Sequence, residues 1–174
     1  MSKITEIKQT SNSFLVFKTG SEHFATHVGH VNHIMEVPRI TDLPDSPEFV
    51  KGLINLWGKP LPVVDVRKKM GLKELDFNVN TCVVVVQVLI ENEIRQLGLI
   101  VDSVDEVLEI DSENILPTPE AKVFDTSSFI YGVYPFEDEF ILMLDIDLLF
   151  ISDNINLDSK QLSDVEESLE TTRI

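Results

Sequence analysis

Four histidines, His23, His27, His30 and His33, fall within eleven residues of this 174-residue chain. Imidazole nitrogens are common zinc ligands, and on a helix His23, His27 and His30 would share one face. Phe24, Val28 and the turn before them read better as strand, which scatters those rings. A second candidate is Asp145-Ile-Asp147, two carboxylates that a strand would place on one side for acid/base or metal chemistry. Asp65 repeats the setting of Asp145 without an acid two positions on, which favours a structural role, accepting backbone N–H bonds. Gly58-Lys59-Pro60 is a turn, because the upstream glycine and following Ser or Thr of a phosphate cradle are absent. Cys82 heads an apolar strand without a clear basic neighbour, so burial outweighs reactivity. Neither Gly-x-Ser-x-Gly nor His-Glu-x-x-His occurs. No enzyme and no cofactor is expected. The remote alternative is a small metal-dependent hydrolase using the His23–His33 cluster or Asp145 and Asp147.

The wider composition bounds the partners. A net charge of −16 argues against nucleic acid, since phosphate binding wants a positive field. One cysteine allows no intramolecular disulfide, which points to a reducing cytosol. The first residues, MSKITEIKQTSNS, lack the apolar stretch of a signal peptide, and the longest apolar run, Cys82 to Ile90, is too short to span a bilayer. A cytoplasmic protein without direct membrane insertion is expected. Lys51, Lys59, Arg67, Lys68, Lys69 and Lys73 form a basic island, whereas every charge from Asp102 to Glu120 is acidic. Solvated faces explain both; two opposite patches that orient protein partners are the sharper reading.

An internal echo organises the chain. Phe49-Val-Lys-Gly52 recurs as Phe129-Ile-Tyr-Gly132, and each glycine is followed thirteen residues later by Asp65 or Asp145, an offset of 80 without a gap. Upstream, Phe24-Ala25, Val28, Val31 and Ile34 are echoed by Leu97-Gly98, Val101, Val104 and Val107 at an offset of 73. Each copy holds a strand pair (Phe14–Phe17 with Glu22–Val28; Cys82–Ile90 with Ile94–Val101) turning at Gly20-Ser21 or Glu91-Asn92. A bent apolar segment, a Pro-bearing crossing and a closing hairpin follow.

Five short strands per copy predict a mainly β fold: two small five-stranded SH3-like barrels on a shared core, with a short C-terminal helix or tail. One domain spans 12–151, with a subdomain boundary near 72–80 and strand exchange left open. The shared core is expected to draw on Ile54, Leu56, Val63, Val64, Val83, Val85, Val101, Leu142 and Leu144. Residues 152–174 read as an acidic tail or a short amphipathic helix, from the spacing of Leu162, Val165 and Leu169.

The hairpin carries a recognisable pattern. Phe49-Val-Lys-Gly-Leu-Ile-Asn-Leu-Trp-Gly-Lys-Pro-Leu-Pro-Val-Val-Asp-Val-Arg67 resembles the signature of the CheW family of bacterial chemotaxis coupling proteins, as does Gly98-Leu-Ile-Val-Asp-Ser-Val-Asp-Glu-Val107. Phe129 to Leu149 resembles the family's closing segment, so the likeness covers roughly residues 12 to 151. The resemblance implies a non-catalytic adaptor that joins the regulatory domain of a CheA-like histidine kinase to the cytoplasmic tip of methyl-accepting chemoreceptors. Such an adaptor is cytoplasmic and is recruited to membrane-associated receptor arrays. A stand-alone regulator competing for kinase or receptor sites is the alternative.

Carried onto this chain, the resemblance implies partner binding by Val31, His33, Asn55, Leu56, Trp57, Gly58 and Lys59. Two of these depart from the family pattern: Trp57 replaces its arginine and His33 its glutamate, so charge is lost from the expected contact surface. That suggests a specialised receptor or kinase, for instance one controlling pili. Trp57 corresponds to Glu137 in the second copy, and a position that takes Trp or Glu is expected to be exposed.

Overall fold

Short runs of β-branched and aromatic residues punctuated by turns give eleven strands among the residues that the computed structural model describes, 12–73, 76–118 and 129–151. They are β1 (Ser13–Thr19), β2 (Glu22–His27), β3 (Val31–Glu36), β4 (Val50–Leu56), β5 (Lys59–Asp65), β6 (Cys82–Ile90), β7 (Glu93–Val101), β8 (Ser103–Glu109), β9 (Leu116–Pro117), β10 (Ile130–Phe136) and β11 (Glu139–Leu144). Two short helices, α1 (Val66–Lys69) and α2 (Ile146–Ile151), follow the two closing hairpins. The segment at Val28 is a single 3₁₀ turn leading into β3. The proposed tail helix lies in 152–174, outside the described residues.

Sheet A has the order β8-β1-β2-β11-β10-β9 and sheet B the order β3-β6-β7-β5-β4. The two copies of the sequence echo therefore interleave. The β1–β2 hairpin of the first copy lies in sheet A among strands of the second, and β6–β7 lies in sheet B among strands of the first. The joins are parallel, β2 with β11 and β7 with β5, whereas the other pairs are antiparallel. The two joins correspond: Met143 pairs with Ala25, and Val63 with Gly98, which are the positions the offsets of 80 and 73 equate.

Each sheet curls around its own filling. In sheet A, Phe14, Val16, Ala25, Ile110, Ile141 and Met143 form one apolar cluster, with Leu108 and Phe136 packed on it. In sheet B the cluster is Ile54, Leu56, Leu61, Val63, Val83, Val85 and Ile100. The third and largest cluster lies between the sheets and includes Phe17, Phe24, Val64, Val84, Leu99, Leu144 and Phe150. It has sixteen buried residues against seven and six in the other two, so the joint holds more of the core than either interior.

This divides the expected shared core. Val64, Val101 and Leu144 do lie in the joint, with Leu142 packed against it; Ile54, Leu56, Val63, Val83 and Val85 fill sheet B instead. The cause is the strand period of two, which sends neighbours such as Val63 and Val64 to opposite faces.

Asp145 and Asp147 are not on a strand. β11 ends at Leu144, Asp145 Oδ1 accepts from the Leu148 N–H (3.1 Å), and Asp147, inside α2, accepts from the Leu89 N–H (2.8 Å). Both carboxylates are engaged by backbone amides.

Candidate interaction surface

The β4–β5 hairpin turns on two residues, Trp57 (φ 50°) and Gly58 (φ 85°), with Leu56 paired to Lys59. Two positive φ values match the right-handed twist of the strands, and Gly58 takes its place without a Cβ clash. Trp57 in the left-handed region is unfavourable by about 1 kcal/mol or more. The Gly58 N–H donates to Asn55 Oδ1 (2.7 Å), which pins the turn. The indole is 79% exposed and so is not a core plug.

β3 and β4 are opposite edges of sheet B, yet the sheet's curl brings them together. The His33 and Trp57 rings lie 5.2 Å apart at 53°. Asn55 and Lys59 are exposed beside the tip. The surface therefore joins His33, Asn55, Trp57, Gly58 and Lys59. Leu56 is buried in the filling of sheet B, and Val31 is half-buried against the shared core. Those two fix the strands that carry the others.

The four histidines do not converge. His27 Nδ1 accepts from the Gly29 N–H (2.9 Å), His30 Nδ1 lies 3.1 Å from the Gln87 carbonyl oxygen, and His33 packs on Trp57. His23 sits between two carboxylates, its Nε2 3.2 Å from Asp105 and its Nδ1 3.5 Å from Glu139. Opposite ring edges face those acids, so His23, Asp105 and Glu139 share no common point for a metal. No metal-holding group of three such side chains exists among the described residues. The Cys82 thiol is half-buried, and burial, then Glu36, pushes its pKa up, away from a reactive thiolate.

The basic island is not one surface. Arg67 is fully buried: its Nε and Nη2 donate to Asp65 Oδ1 and Oδ2 (both 3.0 Å), and Nη1 donates to Asp102 Oδ1 (3.1 Å). Asp102 also accepts from the Gly20 N–H at the β1–β2 turn, and Asp65 Oδ1 caps α1 through the Arg67 N–H. A guanidinium suits this site because its planar fork meets two carboxylates at once. Lys59 stands at the far end of β5, about 20 Å of strand away from α1. Sequence reasoning misses this network. The available signal was the apolar run Leu61–Val66, which leaves an arginine at its end little water to face.

Lys69 lies near the Phe49 ring (5.2 Å from its centroid), and burial lowers its pKa.

Against known proteins, the sequence model of the CheW-like domain matches residues 13–154. The chain belongs to the CheW family. The chemotaxis protein CheW of Rhizobium meliloti is 32% identical over 139 residues, covering 80% of this chain and 87% of that protein. That of Klebsiella aerogenes is 29% identical over 144 residues, covering 83% and 84%. A crystal structure of the scaffolding protein CheW from Thermoanaerobacter tengcongensis superposes with a TM-score of 0.69 at 32% identity, covering 79% of this chain and 91% of that one. This CheW-like protein is accordingly a chemotaxis scaffold and not an enzyme. No helix among the described residues is long and apolar enough to cross a membrane.

Proposed function

We propose that this CheW-like protein couples a CheA-like histidine kinase, through its regulatory domain, to the cytoplasmic tip of a methyl-accepting chemoreceptor. The carrying observation is the hairpin tip: a tryptophan 79% exposed, in an unfavourable backbone conformation, paired with His33 across the two edges of a curled sheet. Strained exposed residues persist where function requires them, and tryptophan is the residue type most enriched at binding hot spots. The protein works in the cytoplasm, held at membrane-associated receptor arrays by its partners.

The chemistry of the tip supports a specialised pathway. An indole and an imidazole stand where the family pattern has a guanidinium and a carboxylate. Such a surface favours a partner with an apolar or aromatic counterpart over one that offers a salt bridge.

Trp57→Ala tests this reading. Titration against the kinase regulatory domain and a receptor-tip fragment from the same organism should show at least about a 30-fold loss of affinity, about 2 kcal/mol, with an unchanged melting temperature. Wild-type protein should also assemble both fragments into one ternary complex by size-exclusion chromatography. Displacement of one fragment by the protein would make it a competitor instead, and an undiminished affinity would move the contact off this tip.

A further inference from the structure

We propose that the open mouth of the sheet A barrel takes a lysine or arginine side chain presented by a protein partner. The site goes beyond the coupling role and does not depend on it. A cavity of about 250 Å³ opens there, floored by Val16, Leu108, Phe136 and Ile141. His23, Asp105, Glu106, Glu137, Asp138 and Glu139 form its rim. This is smaller than a drug-sized pocket and of a size for one long side chain.

No lysine or arginine lines the cavity; the cation closest in register is the exposed Lys18, opposite His23 in the β1–β2 pair. His23 contacts Asp105 through one ring nitrogen and Glu139 through the other. The ring offers at most two N–H groups to a rim of five carboxylates, Asp105, Glu106, Glu137, Asp138 and Glu139, so acceptor oxygens outnumber the donors it can supply. A guanidinium or ammonium group from outside would supply the missing donors. The apolar floor suits the methylene stem of the same side chain, which buries its length while its head stays at the rim. A metal ion fits less well, because the two carboxylates lie on opposite edges of the imidazole.

The fold itself does not require these acids. The offsets of 73 and 80 equate Asp105, Glu106, Glu137, Asp138, Glu139 and His23 with Asn32, His33, Trp57, Gly58, Lys59 and Gln96 of sheet B. None of these six counterparts is acidic, yet the strands pair in the same register there. The negative rim is thus particular to one end of a doubled framework. A small free amine would share the head-group chemistry, and a backbone on either side of the residue would distinguish a protein-borne one.

The test uses the full chain, with the His23 ring followed by ¹H–¹³C NMR at fixed pH and ionic strength. The probes are acetyl-Gly-Arg-Gly-amide, acetyl-Gly-Gln-Gly-amide and n-butylguanidinium. The arginine peptide should shift His23 saturably in the millimolar range and leave His33 unmoved. Asp105→Asn/Glu139→Gln should weaken that response at least tenfold, and Glu137→Gln, which leaves both His23 partners in place, about threefold. The glutamine peptide should give no saturable shift. Absence of a saturable shift with the arginine peptide, or one undiminished in both variants, overturns the site. A response to n-butylguanidinium alone overturns the protein-borne occupant.

Discussion

The closing hairpins of the two copies begin alike and end in opposite chemistry. β4–β5 and β10–β11 share a register shift, between Val50 and Gly52 or Ile130 and Gly132. Each then returns an aspartate amide to a phenylalanine carbonyl, Asp65 N–H to Phe49 (2.7 Å) and Asp145 N–H to Phe129 (2.8 Å). Each aspartate caps a short helix with its side chain. At the tips the likeness stops: Trp57-Gly58-Lys59 faces Glu137-Asp138-Glu139. Two residues past each aspartate it fails again, with a buried Arg67 in one copy and Asp147, bonded to the Leu89 N–H, in the other. Glycine at the bulge and aspartate at the cap are what the backbone demands; the other positions are open to specialisation.

The Arg67 contrast should give the largest effect. Arg67→Ala leaves Asp65 buried without its counter-charge and cuts the tie from α1 through Asp102 to the β1–β2 turn. A loss of about 3–5 kcal/mol is expected, a melting temperature lower by roughly 10 °C in calorimetry. A drop under about 1 kcal/mol would mean that solvent reaches the pair. The bulge glycines come next. A Cβ on Gly52 would collide with the Thr41 carbonyl oxygen, and φ of +146° already strains a side chain there; on Gly132 it would meet Ile115 Cγ2 and, less closely, the Leu116 carbonyl oxygen, without a positive φ to add strain. Urea unfolding should therefore show Gly52→Ala costing about 3 kcal/mol and Gly132→Ala about 1–2. Equal costs would contradict the asymmetry.

The smallest change sharpens the tip itself. Asparagine tolerates positive φ and Asn-Gly is the favoured pair in such turns, so Trp57→Asn should stabilise the fold by about 0.5–1 kcal/mol. It should weaken partner binding at the same time. A variant that melts higher and binds worse would identify Trp57 as kept for contact, whereas one that melts lower would show the indole supporting the sheet.

Much of the fold was legible because its signals are local. Gly20-Ser21 and Glu91-Asn92 mark their turns, the Gly52 and Gly132 repeats mark the closing hairpins, and short apolar runs mark the strands. The exposure of Trp57 followed from its Glu137 counterpart. What escaped was long-range. The strand period puts Val63 and Val64 on opposite faces, but nothing local says that β6–β7 inserts beside β5 and so which core each face meets. The charge of Arg67 suggested solvent, but burial depended on Asp102, thirty-five residues on. Asp145-Ile-Asp147 reads as strand because a helix of six residues leaves too short a pattern for its period to stand out.

The exchange of hairpins between the two sheets carries a last consequence. One copy of the repeat, made alone, would have to borrow its missing strands from a second molecule, at a rate set by how often two chains meet. Tethering both copies in one polypeptide turns that encounter into an internal event, so the finished scaffold forms equally well however dilute it is.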